Sequence, residues 1–203
     1  MPFPTTNRQE ELPAVNEILA SVGQAPVTTL DQTNPDVAIA YDTLLQVSRE
    51  VQAEGWTFNK EYNYPLKPDS NKHIQIPNNM LQVDLTDDYR HYDPIRRDGK
   101  LYDRISHTYE WSEEALEADI TWLFDWVDLP QPIKDYITAR AASIAASRLV
   151  GDPTQYQLIQ QKEAYCRAMA LEYECNQGDY TFFGHPRGGN FYNSYQPYHA
   201  LKR

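Results

Sequence analysis

The stretch Ile133–Arg148, IKDYITARAASIAASR, decides the fold, because it combines an apolar helical pattern with a run of small side chains. Ile133, Tyr136, Ile137 and Ile144 recur at the spacing of one helix face, which Arg140 and Arg148 also share. The side chains between them leave little bulk, so another helix can approach closely. These small residues are Ala139, Ala141, Ala142, Ala145 and Ala146. The sequence therefore predicts a helix that packs against other helices.

A second helix is predicted directly after this one. Gly151, Asp152 and Pro153 end the first helix and begin the next. An apolar stripe then recurs at helical spacing, and it consists of Ile159, Cys166, Met169, Ala170 and Tyr173. Cys166 and Cys175 would face opposite sides of this helix, so we expect no disulfide between them and a reducing compartment.

Two more helices are predicted near the start of the chain. Leu12, Val15, Leu19 and Val22 repeat at helical spacing until Gly23 supplies a stop. In the next helix Asn34 is the expected cap and Pro35 the first residue. Proline is tolerated there because the backbone amide that it lacks would have no hydrogen-bond partner within the helix. Its apolar face runs through Val37, Tyr41, Leu44, Val47 and Val51, and Gly55 ends it.

Residues 56–129, between the two helical pairs, are rich in strand signals. Alternating segments occur at residues 60–66, 73–76, 81–85 and 101–109, and Arg97-Asp98-Gly99-Lys100 is typical of a turn. Residues 120–127 favour a strand, with a helix beginning near Ser112 as the alternative. The predicted fold is α+β: a four-helix bundle (1–55 and 130–178) with a small, mostly antiparallel β domain (56–129) inserted between helices 2 and 3.

Residues 179–203 form an aromatic-rich C-terminal arm with glycines, prolines and no carboxylate after Asp179. Such a segment has too many aromatic residues for a solvated linker and too many helix breakers for a helix. Either it packs on its own bundle or it docks on a neighbouring chain, since exposed aromatic residues are typical interface anchors. The candidate assembly interface consists of Phe182, Phe183, Phe191, Tyr192, Tyr195 and Tyr198.

Charge and hydropathy exclude several classes of protein. The 203-residue chain has a net charge of -11, so its surface should repel nucleic acid and anionic membranes. No apolar run approaches the length of a bilayer span, and the first residues do not read as an export signal, so we expect no membrane anchor. A DNA-binding module would have only Arg187, Lys202 and Arg203, in the arm, as a local basic group.

The acidic segment from Ile105 to Ile133 contains seven carboxylates and three tryptophans without one Lys or Arg. A carboxylate-based hydrolase acting on the cell wall is the alternative function that this segment allows, with Glu113 and Glu117 as its acids. The same two residues lie one helical turn apart, as on an ordinary solvated helix face. We therefore assign no catalytic residues, and expect the segment's tryptophans to anchor the join between sheet and helices.

Motifs for metal and cofactor binding are not found in the sequence. Five histidines are scattered singly, and no His/Cys pair has ligand spacing. Neither a phosphate loop, a dinucleotide fingerprint nor a nucleophile elbow occurs. We expect neither a metal nor a cofactor.

Collinear segments of the chain resemble the tail tubular protein A family, the head-to-tail adaptors of short-tailed bacteriophages. The resemblance covers about residues 10–175. Its longest segments are residues 14–27 (AVNEILASVGQAPV), 34–38 (NPDVA) and 47–56 (VSREVQAEGW). Shorter ones are 101–103 (LYD), 107–109 (HTY) and 136–142 (YITARAA).

The resemblance implies a structural virion protein without enzymatic activity. It implies a homo-oligomeric ring of twelve subunits that joins the capsid portal protein to the tail nozzle, tail tubular protein B, with a tail fibre attached near that junction. Genomic DNA would pass through the lumen without specific binding, which suits an acidic chain. Such a protein would be assembled in the host cytoplasm and reside in the tail of the virion.

Overall fold

The computed structural model describes residues 8–31, 33–149 and 153–178. Helix α1 spans Arg8–Ser21, and helix α2 spans Pro35–Gln52. The predicted cap of α2 is confirmed, since Asn34 Oδ1 accepts a hydrogen bond of 3.0 Å from the backbone amide of Asp36. Gly23 and Gly55 follow the two helices with φ of +79° each, a conformation that side-chain-bearing residues rarely adopt.

Helix α3, Gln131–Leu149, packs against α1, α2 and the last helix, α4, which spans Pro153–Gly178. The predicted small face of α3 is confirmed. Its alanines are buried against neighbouring elements, and they are Ala139, Ala141, Ala142, Ala145 and Ala146. Without longer side chains at these positions the helix backbones approach closely, so α3 holds the central place among the helices.

The apolar stripe predicted for α4 is partly wrong. Ile159 and Cys166 pack against the helical core and Ala170 is fully buried, but Met169 is 41% exposed. The main helix contact of α4 is with α3, so only a narrow strip of α4 is covered. Apolar side chains remain on its outer surface, among them Leu158 and Tyr165.

Three strands form an antiparallel sheet in the order β1-β5-β2. They are β1 (Lys60–Leu66), β2 (Met80–Leu85) and β5 (Leu116–Trp122). A separate antiparallel pair consists of β3 (Pro94–Arg97) and β4 (Lys100–Asp103). The α+β class is thus confirmed, with four helices and small antiparallel sheets among the described residues.

Predictions for the strands were correct at β1 and β2 and need correction elsewhere. The strand predicted at 120–127 lies earlier, as β5, and the alternative helix from Ser112 is wrong. Residues 73–76 make only one isolated bridge, between Gln75 and Lys100. The segment 101–109 leaves the sheet after Asp103, because that carboxylate binds the following backbone amides and His107 adopts a φ of +57°. Strand β3 was not predicted.

Two hydrophobic clusters hold the structure together. One lies among the helices and includes Trp56 and Leu129; the other lies between the strands and includes Leu101 and Ile120. Buried Gln52, at the end of α2, bonds both backbone groups of Phe124, just after β5, at 2.8 and 3.1 Å. The helical and strand regions are therefore joined by polar contacts at their border.

Candidate interaction surfaces

The acidic segment does not form one continuous surface. Glu117 and Asp119 lie on β5, while Glu113 precedes that strand and accepts a short hydrogen bond from the Tyr92 hydroxyl. This bond, together with burial and the glutamate's charge, raises the pKa of Tyr92 to about 12. Glu113 thus serves to hold Tyr92 within the strand region.

The hydrolase alternative loses its geometric basis. Glu113 and Glu117 lie in and beside a strand, so they are not one helical turn apart on a shared face. Glu117 is exposed on β5, whereas Glu113 is bonded to Tyr92. A pair of carboxylates flanking a cleft, one kept neutral and one ionised, is what such a hydrolase needs. These two glutamates do not supply it.

The tryptophans of the segment divide between the two regions. Trp111 is buried among the strands, where its Nε1 donates to the Leu101 carbonyl at 3.1 Å. Trp122 packs partly against the same cluster and donates to Glu61 at 3.0 Å, while Trp126 packs against the helical cluster. Each tryptophan thus packs against one cluster, and none of the three packs against both, as the expected anchor between sheet and helices would require.

A groove of about 380 Å³ lies between α1 and α3, beside Trp126. Its carboxylates are Glu10, Glu17 and Asp135, and its one cation is Lys134, which donates to the Val127 carbonyl at 3.1 Å. Glu17 also pairs with Lys162 of α4. Glu17 and Lys134 therefore already have partners within the fold, and the groove does not present them as a free charged site.

The outward side of the β3–β4 pair, here called the hairpin face, consists of Ile95, Arg97, Lys100 and Tyr102. Leu101 and Asp103 alternate with these residues on β4 and are buried, so Lys100 and Tyr102 point away from the core. Arg97 is the cross-strand partner of Lys100, and Ile95 is the partner of Tyr102. Arg97 also stacks on the Tyr102 ring, 4.3 Å from its centroid.

The local sequence explains why this hairpin forms. Asp98 and Gly99 have φ of +52° and +71°, as both central residues of a type I′ turn require. At the other end Asp103 is 1% exposed, and its carboxylate accepts hydrogen bonds from the backbone amides of Asp93, Ile105 and Ser106. Burial would raise the pKa of Asp103, but the bonds from Ser106, Asp93 and Ile105 lower it to about 2.

The outward side of β2 and β5, here called the acidic sheet face, carries Asp84, Glu117 and Asp119. Leu116, Ala118 and Ile120 alternate with them and are fully buried. Asp84 and Asp119 are direct cross-strand partners. The backbone amide of Asn63 donates to Asp119 at 3.2 Å. Two carboxylates facing each other across a strand pair is an unfavourable arrangement, so this face is not optimised for stability alone.

A polar network joins α4 to the other helices. The buried Tyr136 of α3 accepts a hydrogen bond from Arg140 at 3.2 Å and a short one from Arg167 of α4. Both arginines also pair with Glu54, at 3.4 and 3.5 Å. Nearby, the Glu174 carboxylate accepts bonds from the backbone amide and the hydroxyl of Thr57. These contacts fix α4 against the entry to the strand region.

Several predicted groups do not form a site or lie outside the described residues. In the described ranges no group of three or more His, Cys, Asp or Glu side chains could hold a metal ion. No described helix is long and apolar enough to cross a membrane. The six aromatic residues of the candidate assembly interface (Phe182, Phe183, Phe191, Tyr192, Tyr195 and Tyr198) and the basic residues Arg187, Lys202 and Arg203 lie outside the described residues.

The hairpin face and the acidic sheet face were missed by the sequence analysis. The Asp98-Gly99 turn was a usable signal, since such a turn between two alternating segments indicates a hairpin. Pro94 at the start and the short length of β3 concealed the first strand. The opposition of Asp84 and Asp119 depends on strand register, which composition does not reveal.

Comparison with known proteins places this chain among phage tail proteins. A family model described as tail tubular protein matches residues 12–180, from α1 to beyond α4. The chain is also 27% identical over 172 residues to "Tail tubular protein A" of Klebsiella phage KP34, which covers 82% of this chain and 88% of that protein.

Proposed function

Since the chain belongs to the tail tubular protein family, the structural proteins of phage tails, we propose that it forms the ring adaptor between the capsid portal and the tail nozzle. The observation that carries this proposal is the extent of the family match, which includes every described helix and strand except the start of α1. In the virion tail, twelve copies would form the ring, with portal protein on one side and tail tubular protein B and a tail fibre on the other.

The negative charge of the chain suits a ring with a lumen through which DNA passes. A net charge of -11 per subunit, repeated around a ring, would repel the phosphates of a passing genome at every height of the channel. DNA could then slide through during ejection without being retained. Such a conduit requires no catalytic group, and the positions of Glu113 and Glu117 give the hydrolase alternative no support.

We also propose how the chain is divided into domains. The helical parts, 1–55 and 130–178, would form one four-helix bundle, and 56–129 would be a β domain inserted into it. The two separate hydrophobic clusters support this division. Residues 179–203 would be an arm that docks on a neighbouring chain during assembly in the host cytoplasm.

Native mass spectrometry and electron microscopy of the purified full chain test the ring directly. We expect a twelve-subunit species, either alone or after addition of the phage's portal protein. A chain that stays monomeric under both conditions would contradict the adaptor. A variant ending at residue 179 tests the arm: it should fold as a monomer but assemble less. Failure of that variant to fold would show instead that the arm packs on its own bundle.

A further inference from the structure

We propose that the hairpin face of one copy docks on the acidic sheet face of a second copy of this chain. This inference rests on the proposed ring, and it assigns a seam between subunits. The hairpin face provides Arg97 and Lys100, and the acidic sheet face provides Asp84, Glu117 and Asp119.

Charge complementarity is the first argument. Arg97 and Lys100 face each other across β3 and β4, and Asp84 and Asp119 face each other across β2 and β5. Like charges directly opposite on neighbouring strands repel each other, so each pair would gain from opposite charges on a partner surface. Within residues 33–149, neither Arg97 nor Lys100 forms an ion pair. Contact between the two faces would relieve both repulsions at once.

The direction of the two faces is the second argument. Leu101, behind the hairpin face, belongs to the same hydrophobic cluster as Leu116 and Ile120, behind the acidic sheet face. The core of the strand region therefore lies behind both faces, which belong to separate sheets and are two different surfaces of the chain. A contact between two different surfaces of identical chains is heterologous, and its repetition generates rings or filaments rather than closed dimers.

The hairpin face also has the composition of an interface anchor. Ile95 is 40% exposed beside Tyr102, on which Arg97 stacks. Tyrosine and arginine are enriched among residues that contribute most to binding. The Asp98-Gly99 turn and the bonds to Asp103 hold the hairpin in one conformation, so little ordering would be required on docking.

Nucleic acid is a poorer occupant of the hairpin face than a second copy. Two cations neutralise few phosphates, and affinity for nucleic acid depends on how many are neutralised. The rest of the surface is strongly acidic, with a net charge of -11 for the whole chain. An acidic protein surface of matching size is therefore the expected partner.

Charge reversal on full-length chains tests this seam. One variant carries Arg97→Glu and Lys100→Glu, and the other carries Asp84→Lys and Asp119→Lys. Each should lower ring formation, read by native mass spectrometry alone and with portal protein, by roughly tenfold or more, because like charges then meet across the interface. Circular dichroism of each monomer confirms that it is folded.

Restoration is the decisive result. In a chain that carries all four substitutions the charges of both faces are reversed, so the faces are complementary again and rings should form. An equal mixture of the two double variants should also form rings in which the variants alternate, as an even number of subunits permits. A control with Arg148→Glu and Lys162→Glu has the same change in net charge as the hairpin variant, but on the exposed sides of α3 and α4, away from both faces, and should assemble like the wild type.

Several outcomes would overturn the seam. If both double variants form rings as readily as the wild type, the seam lies elsewhere and the adaptor proposal is unaffected. Loss of rings without restoration in the fourfold variant would show that the two faces do not meet each other. Intact rings with weakened DNA retention in the hairpin variant would assign that face to a polyanion. A wild-type chain that never assembles would overturn both proposals.

Discussion

The helical region and the strand region of this chain are stabilised in different ways. Among the helices, α3 buries a face of alanines and isoleucines against its neighbours, so close packing of apolar atoms dominates. The strand region has a smaller apolar cluster and depends on polar groups such as Asp103, whose carboxylate organises a loop. It also carries two like-charged cross-strand pairs that stability alone would not favour.

The helical region is thus the part of the molecule whose packing specifies the fold, and the strand region is the part that retains like charges in close proximity. Local features that weaken a monomer are expected where a protein meets its partners. The helical region should respond mainly to changes in side-chain volume and little to pH or salt. The strand region should respond to protonation and to the sign of its surface charges.

The largest effect is expected from overfilling the face of α3. Ala141 is 0% exposed, so Ala141→Leu should lower the free energy of unfolding by roughly 3 kcal/mol, because the added atoms have no space. Urea denaturation of the monomer measures this loss. The matched control is Ala164→Leu, the same change at an exposed position of α4, which should shift stability by less than about 0.5 kcal/mol. Equal losses in both variants would contradict the central place of α3.

An intermediate effect is expected at Asp103. Its pKa is about 2 in the folded chain, below the ordinary 3.8, so the ionised carboxylate stabilises the fold. That contribution is complete above about pH 4 and is lost as the pH falls towards 2, because the unfolded state then binds the proton more readily. Asp103→Asn should therefore cost roughly 2 kcal/mol at neutral pH and flatten the pH dependence of stability between those values.

Urea titrations at several pH values measure this prediction, and Asp98→Asn is its control. Asp98 is exposed in the same hairpin, and asparagine tolerates the positive φ found there. The control should keep the acid dependence that Asp103→Asn loses. If Asp103→Asn retained the wild-type pH profile, the strand region would not depend on this carboxylate, and the contrast with the helices would weaken.

The helices could be predicted well because their signals are local. The Asn34-Pro35 cap, the glycine stops and the alanine run of α3 each act within one or two turns, and all lie where the sequence placed them. Met169 was misplaced for a different reason. Whether a helix is covered on one side or two depends on the arrangement of its neighbours, and α4 contacts mainly α3.

The strand region was harder to predict because its pairing is long-range. Central strand β5 pairs with β1 and β2, which come more than thirty residues earlier in the chain. An alternating pattern does not reveal which carboxylate will face which, so the Asp84–Asp119 pair could not be foreseen. The segment after Asp103 read as a continued strand, since local alternation carries no sign that a buried carboxylate will bind its own backbone.

The smallest effect is expected from the ion pair between Lys162 of α4 and Glu17 of α1. Glu17 raises the pKa of Lys162, but the two side chains are 57% and 44% exposed, so water and salt screen their attraction. Lys162→Ala should cost less than about 0.5 kcal/mol in urea denaturation, and high salt should narrow the difference from the wild type. Glu17→Ala should behave alike. A loss above about 1 kcal/mol in either variant would mean that an exposed ion pair contributes substantially to holding α4 on α1, and the contrast between a helical region dominated by packing and a charge-dependent strand region would weaken.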